Sequence, residues 1–117
     1  MPSVKSFRDL KVWQKPFDLA EKIYQIGSQL PSAEKFGIAS QIHRAAVSIP
    51  SNIAEGASRN NRREYIQFVG IARGSAAELE TQLLLLQKVY GLGLDKELQI
   101  LDEVQRMLTR LSQKLRA

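Results

Sequence analysis

The chain has 117 residues, one domain's worth, and its 44% hydrophobic and 25% charged residues are the make-up of a globular protein with a single core. It has no cysteine, which excludes disulfides, thiolate metal sites and cysteine nucleophiles. The formal charge of +5 is one-sided: residues 1–73 carry eleven Lys/Arg against six Asp/Glu, and residues 74–117 carry six of each. Such a surface either attracts a polyanion, nucleic acid or anionic lipid, or is simply solvated. Residues Met1 to Ser6 lack the apolar stretch of a signal peptide. The longest aliphatic run, Leu83 to Leu86, is far too short to span a bilayer. The expectation is a soluble protein of the reducing cytoplasm, with no membrane partner.

The first predicted helix covers about 7–30. Leu10, Trp13, Phe17, Ala20, Tyr24 and Gly27 alternate by three and four and make one stripe; Val12, Leu19, Ile23, Ile26 and Leu30 make a second. Pro16 removes a backbone hydrogen bond inside this pattern and is expected to kink or restart the helix. The second helix is predicted over 33–56, with the stripe Ala39, Ile42, Ala46, Ile49, Ile53 and Gly56. Its phase is unchanged across Pro50, which favours one kinked helix over two. The carbonyl of Ala46, freed by Pro50, then needs water or a side chain such as Ser51 or Asn52.

A polar loop, residues 57–61, precedes a third helix over 62–90. Asn61 is placed to cap it, with Glu64 three residues on. The stripe Tyr65, Phe68, Ala72, Ala76, Leu79, Leu83, Leu86 and Tyr90 follows. Gly74 weakens a helix interior by about 1 kcal/mol relative to alanine, which close approach of a neighbouring helix would offset. After Gly91 to Leu94, Asp95 is expected to cap a fourth helix over 95–115 with the stripe Leu94, Leu98, Leu101, Val104, Leu108, Leu111 and Leu115. No segment alternates like a half-buried strand. Long helices with short connections predict an all-α, antiparallel up-down four-helix bundle spanning 1–117 as one domain. The second stripe of helix 1, the four leucines 83–86, and Ile100 and Met107 exceed what one bundle core needs. They predict a homo-oligomer.

A di-metal bundle site needs two Glu-x-x-His pairs. The one histidine, His43, follows Ser40 by three, so no metal or cofactor is expected. Glu55, Glu78 and Glu80 lie nearest the stripes and are expected to pair with Arg44, Arg73 or a neighbouring subunit. Ser48 and Ser51 sit in no nucleophile elbow, and no P-loop or dinucleotide fingerprint exists. An enzyme is not expected. Lys5, Arg8, Lys11 and Lys15 recur along one edge of helix 1, and Arg59, Arg62 and Arg63 cluster with Asn60 and Asn61 before helix 3. In an up-down bundle both clusters belong to one end and are expected to merge into a phosphate-binding face. Tyr65, near that end, is expected to pack in the core rather than stack on a base.

Residues 7–15 (FRDLKVWQK), 40–56 (SQIHRAAVSIPSNIAEG), 72–75 (ARGS) and 78–83 (ELETQL) resemble bacterial 23S rRNA intervening-sequence proteins over almost the whole chain. The resemblance implies an antiparallel four-helix bundle that assembles into a homo-oligomer, commonly a pentameric ring with a central channel. It implies a nucleic-acid-associated role, RNA or DNA. By analogy with related accessory factors of retroelements, the alternative is a scaffold for a protein partner such as a reverse transcriptase or a ribosome-related protein. Within it, Arg8, Lys11, Lys15, Arg59, Arg62 and Arg63 are the candidate phosphate contacts, and Arg44, Asn52, Glu55 and Glu78 the candidate oligomer or buried polar residues. The chain departs from the family pattern at Pro16, where a small helix former is usual. It departs again at His43, where Arg is usual, with the loss of one positive charge.

Overall fold

The structure, a computed structural model, describes residues 6–117. Lys5, placed above in the basic row of the first helix, lies outside the described residues. Four helices form the molecule: α1 (Lys11–Gln29), α2 (Ile38–Ser58), α3 (Arg62–Tyr90) and α4 (Asp95–Arg116). Each connection is short, so consecutive helices run antiparallel. α2 packs between α1 and α3, and α4 closes the bundle against α3 and α1. The two diagonals, α1 with α3 and α2 with α4, are the wider separations, with no backbone approach within 8 Å between Cα atoms among the described residues. The bundle measures 48 × 22 × 20 Å. Among the described residues there is no strand, and no helix is long and apolar enough to cross a membrane.

The helix ends differ from expectation for local reasons. Ser6 accepts from the Arg8 N–H (3.1 Å) and closes a separate 3₁₀ turn at Phe7–Asp9. Leu10 is then extended (φ −81°, ψ 127°), so α1 starts at Lys11. From there it runs unbroken through Pro16, whose ring is buried. After Pro31 a second 3₁₀ turn, Ser32–Glu34, delays α2 to Ile38, and α2 continues past Gly56 to Ser58. α2 is one continuous helix through Pro50, as its apolar phase predicted. Asn52 does not serve the Ala46 carbonyl. Its amide donates to the Ser48 carbonyl (2.7 Å) and Ser48 Oγ (2.9 Å), and Ser48 Oγ in turn meets Ser75 Oγ on α3 at 2.8 Å. Asn61 caps α3 as expected, accepting from the Glu64 N–H at 3.0 Å. Asp95 does not cap α4: Leu94 holds that position, and the Asp95 carboxylate accepts from Gln87 Nε2 (3.1 Å). Gly91 ends α3 in the left-handed conformation (φ +65°), which glycine adopts without strain.

The core follows the three-and-four spacing. Ile42, Ile49 and Ile53 of α2, Leu79, Leu83 and Leu86 of α3, and Leu101, Val104 and Leu108 of α4 are fully buried. Each contributes about 1.5–3 kcal/mol of burial. α1 inserts its second stripe, Leu19, Ile23, Ile26 and Leu30, with Ala20. Of its first stripe, Ala20 is buried and Leu10 and Trp13 pack against the core, while Phe17 and Tyr24 stay half-exposed. Leu83 and Leu86 enter the core while Leu84 and Leu85 face outward.

Glycine permits two close approaches. A Cβ on Gly27 would lie 2.1 Å from His43 Nε2, and one on Gly56 would meet Tyr65 Cδ1 at 2.8 Å and Phe68 Cβ at 2.9 Å. Gly74, expected at such a contact, meets nothing within 4 Å. At that level of α3 the small residues turned into the core are Ala72 and Ala76, both fully buried. Gly56→Ala must displace the α3 backbone through Phe68 Cβ, so it should cost about 1–3 kcal/mol. Urea unfolding should show a lower midpoint at unchanged slope; a midpoint equal to the parent's would mean that α2 and α3 do not approach this closely.

Candidate nucleic-acid interface

The up-down topology brings the first turns of α1 and α3 to one end of the bundle. They stand on its diagonal, however, and the two basic clusters do not merge. Lys11 and Lys15 turn toward α4, where Lys15 Nζ pairs with Glu103 at 2.5 Å. Arg59 lies between Glu55 (3.9 Å) and Glu64 (3.6 Å), its guanidinium 5.3 Å from the Phe68 ring centre. These pairs are exposed and contribute about 0–1 kcal/mol each. Among the described residues, Arg8, Lys11, Arg62 and Arg63 have no carboxylate oxygen within 4.0 Å.

Between α1 and α4 runs a furrow of about 640 Å³. Lys11, Lys15 and Lys22 line it from α1, and Arg106 and Arg110 from α4, with Asp18 and Glu103 as its acids. Gln14, Leu19, Ile100 and Met107 complete the lining. Arg106 also pairs with Asp102 (3.0 Å) on its own helix. The charge count missed Arg106 and Arg110 because residues 74–117 sum to zero. Helix periodicity was the available signal: the two arginines are four apart, as are Lys11 and Lys15, so each pair shares a helix face.

The acidic candidates are directed apart. Glu55 pairs with Arg59, Glu78 accepts from Gln82 Nε2 (3.3 Å), and Glu80 on α3 accepts from Gln105 Nε2 on α4 (3.1 Å). Arg44, Glu55 and Glu78 are exposed, so within the chain only Asn52 of that group is even half-buried. Arg44 and Glu78 line one shallow cleft between α2 and α3 without forming a pair. Among the described residues the buried polar side chains are instead Gln82 and Ser112, and Gln82 Oε1 has no hydrogen-bond partner there. Tyr65 packs on Gly56, and burial pushes its hydroxyl pKa up, which matches a packing role.

The α1/α2 side is aromatic. Trp13 and Phe17 stack at 4.6 Å with planes 19° apart, and Phe7 meets Trp13 edge-on at 5.3 Å. One helical stretch further, Tyr24 stacks on His43 at 4.2 Å and 22°. His43 Nε2 is buried over Gly27 with no hydrogen-bond partner, and desolvation lowers the pKa of the ring. Two cavities open on this side, of about 520 and 870 Å³, and both include Tyr24 and Val47.

Residues 8–113 match the sequence pattern of the 23S rRNA-intervening sequence protein family. Among curated proteins no relative matches the chain. A solved structure from Bacteroides thetaiotaomicron, a protein with unknown function from the S23 ribosomal protein family, has the same fold. The TM-score is 0.80 at 24% identity, over 86% of this chain and 97% of that one.

His43 gives the site a pH signature. Its folded pKa lies below the ordinary 6.5, so above that pH the ring is neutral in both folded and unfolded chains and has no effect. Below about 6.5 the unfolded chain takes up the proton first, and stability falls with pH until the folded ring also titrates. Urea unfolding between pH 7 and about 5.5 should show this decline, and His43→Gln should flatten it. An equal decline in the variant would assign it to other groups.

Proposed function

The chain belongs to the 23S rRNA-intervening sequence protein family, and from that premise we propose that it is a non-enzymatic, homo-oligomeric protein that binds RNA through phosphate contacts. The observation that supports this reading is the α1/α4 furrow, whose lining sets Lys11, Lys15, Lys22, Arg106 and Arg110 against two carboxylates. Arg106 and Arg110 offer planar forks that match phosphate oxygens, and the lysines act as point charges. Contacts of this kind hold a backbone in register without reading its sequence. The Lys15–Glu103 pair is weak enough in water to yield to a phosphate. Arg8 precedes the furrow's lysines in the turn that leads into α1, whereas Arg62 and Arg63 stand apart on α3.

Binding to structured RNA across a salt series tests the reading. Each phosphate contact contributes about 0.7–0.9 to the slope of log affinity against log salt. Replacing Lys11, Lys22 and Arg110 together with Gln removes cations that have no carboxylate within 4.0 Å among the described residues. The slope should flatten by about two to three. An unchanged slope would move the binding surface elsewhere. Absence of binding at low salt, with capture of one protein partner, would favour the scaffold reading.

A second observation supports self-association. α3 exposes Ile71, Leu84, Leu85 and Val89, and beside Ile71 Gly70 and Gly74 meet nothing within 4 Å. Those glycines weaken α3 with no return inside the chain, whereas a helix of a second copy laid on this face would use the space. We take this face as the contact between copies of the ring, five by resemblance. Light scattering should give a multiple of the chain mass for the parent. Leu85→Glu with Val89→Glu should give the monomer with unchanged helical circular dichroism. A monomeric parent would reject assembly.

A further inference from the structure

We propose that the furrow between α1 and α2 is a stacking site for two consecutive unpaired bases of an RNA strand. The inference deepens the RNA-binding reading by naming what part of the RNA this second surface takes. It rests on different residues from the phosphate furrow, on the opposite flank of α1.

Phe17 and Tyr24 both line the 520 Å³ cavity and are 52% and 51% exposed. Each is backed by another ring, Phe17 by Trp13 and Tyr24 by His43, in near-parallel stacks. A ring held from behind keeps its plane, so a base docking on its open side gives up little additional freedom. Phe17 and Tyr24 are seven residues apart on one face of α1, so their Cα positions are about 10.5 Å apart along the helix axis. That is close to the room needed by three stacking intervals of about 3.4 Å, hence two bases between the rings. Ala20, Val47, Pro50 and Ala54 line the space between them and carry no charge.

Charge favours a nucleotide over an apolar peptide. The cavity continues past Tyr24 and Val47 into the larger one, whose charged lining residues are Lys35 and Arg44, both cations. Neither has a carboxylate oxygen within 4.0 Å among the described residues. A planar apolar group joined to an anion fits aromatic walls that end in cations. Glu21 lines the cavity and pairs with no cation among the described residues. Its carboxylate is an acceptor for the exocyclic amine of cytosine, which uracil lacks.

Trp13 is the chain's one tryptophan, and its stack on Phe17 makes its fluorescence the direct reporter. The full-length protein is titrated with oligocytidylate, oligouridylate, the dinucleotide CpC and an RNA duplex, following Trp13 emission and the anisotropy of labelled RNA. The expected result is quenching by both cytidine ligands, weaker quenching by oligouridylate and none by the duplex. Phe17→Leu with Tyr24→Leu should lower oligocytidylate affinity about tenfold or more, with the thermal midpoint and oligomer mass unchanged. RNA binding that is salt-dependent but equal for strand and duplex, without quenching, would overturn this inference and leave the phosphate furrow standing. Quenching by CpC with no effect of the Lys11, Lys22 and Arg110 replacement would uphold it and reject the phosphate furrow. A loss of oligomer mass in the Phe17 and Tyr24 variant with RNA affinity intact would assign the furrow to a second copy of the chain and overturn it.

Discussion

Two glycines set the spacing on which the rest of the molecule depends. Gly27 lets the His43 ring lie against the α1 backbone, and Gly56 lets Tyr65 and Phe68 of α3 close on α2. Both residues belong to helices, where glycine is unfavourable by about 1 kcal/mol, so the contacts they allow must offset that loss. Together they draw α2 in between its neighbours. With His43 held there, Tyr24 stacks on its ring at the surface instead of turning into the core. The aromatic furrow is thus a consequence of how near α2 stands to α1.

The bundle itself was legible because aliphatic spacing reports a face directly. Ile42, Ile49 and Ile53, or Leu101, Val104 and Leu108, can share a side only on a helix, and all are fully buried. What escaped was decided by geometry that periodicity does not encode. Helix 1 offered two stripes of similar apolar content, and only packing selected Leu19, Ile23 and Ile26 over Phe17 and Tyr24. Leu10 carries no turn signal, yet its extended backbone sets the start of α1. Asp95 has the right chemistry for a cap, but it lies one residue inside the helix and accepts from Gln87 instead. Gly27 and Gly56 were visible as stripe members, while the rings that press on them were not.

The basic residues show the same division between composition and placement. Linear charge counting put the excess in residues 1–73, and topology then joined Lys11 and Lys15 to Arg106 and Arg110 from the balanced remainder. Balance along α4 is not balance around it. Arg106 and Arg110 line the furrow, whereas Asp102 is satisfied by Arg106 on its own helix. The diagonal position of α3 in turn separates Arg62 and Arg63 from the lysines of α1, although both groups belong to one end of the bundle.

The exposed apolar residues fall into two sets that differ in their company. On α3, Ile71 adjoins Gly70 and Gly74, which have open space above them, and Leu85 and Val89 continue the same face further along the helix, conditions that suit another helix. On α1, Phe17 and Tyr24 stand beside a wall that ends in Lys35 and Arg44, where a helix would have to supply acids. Desolvating two cations under an apolar partner is costly; on the proposed reading a phosphate would remove that cost while its base would cover the rings. α1 therefore has a division of labour written across its circumference: lysines toward α4, aliphatics inward, aromatic rings toward α2. On the proposed reading, an RNA strand crossing its outer face would meet cations on one flank and aromatic rings on the other, without any rearrangement of the bundle.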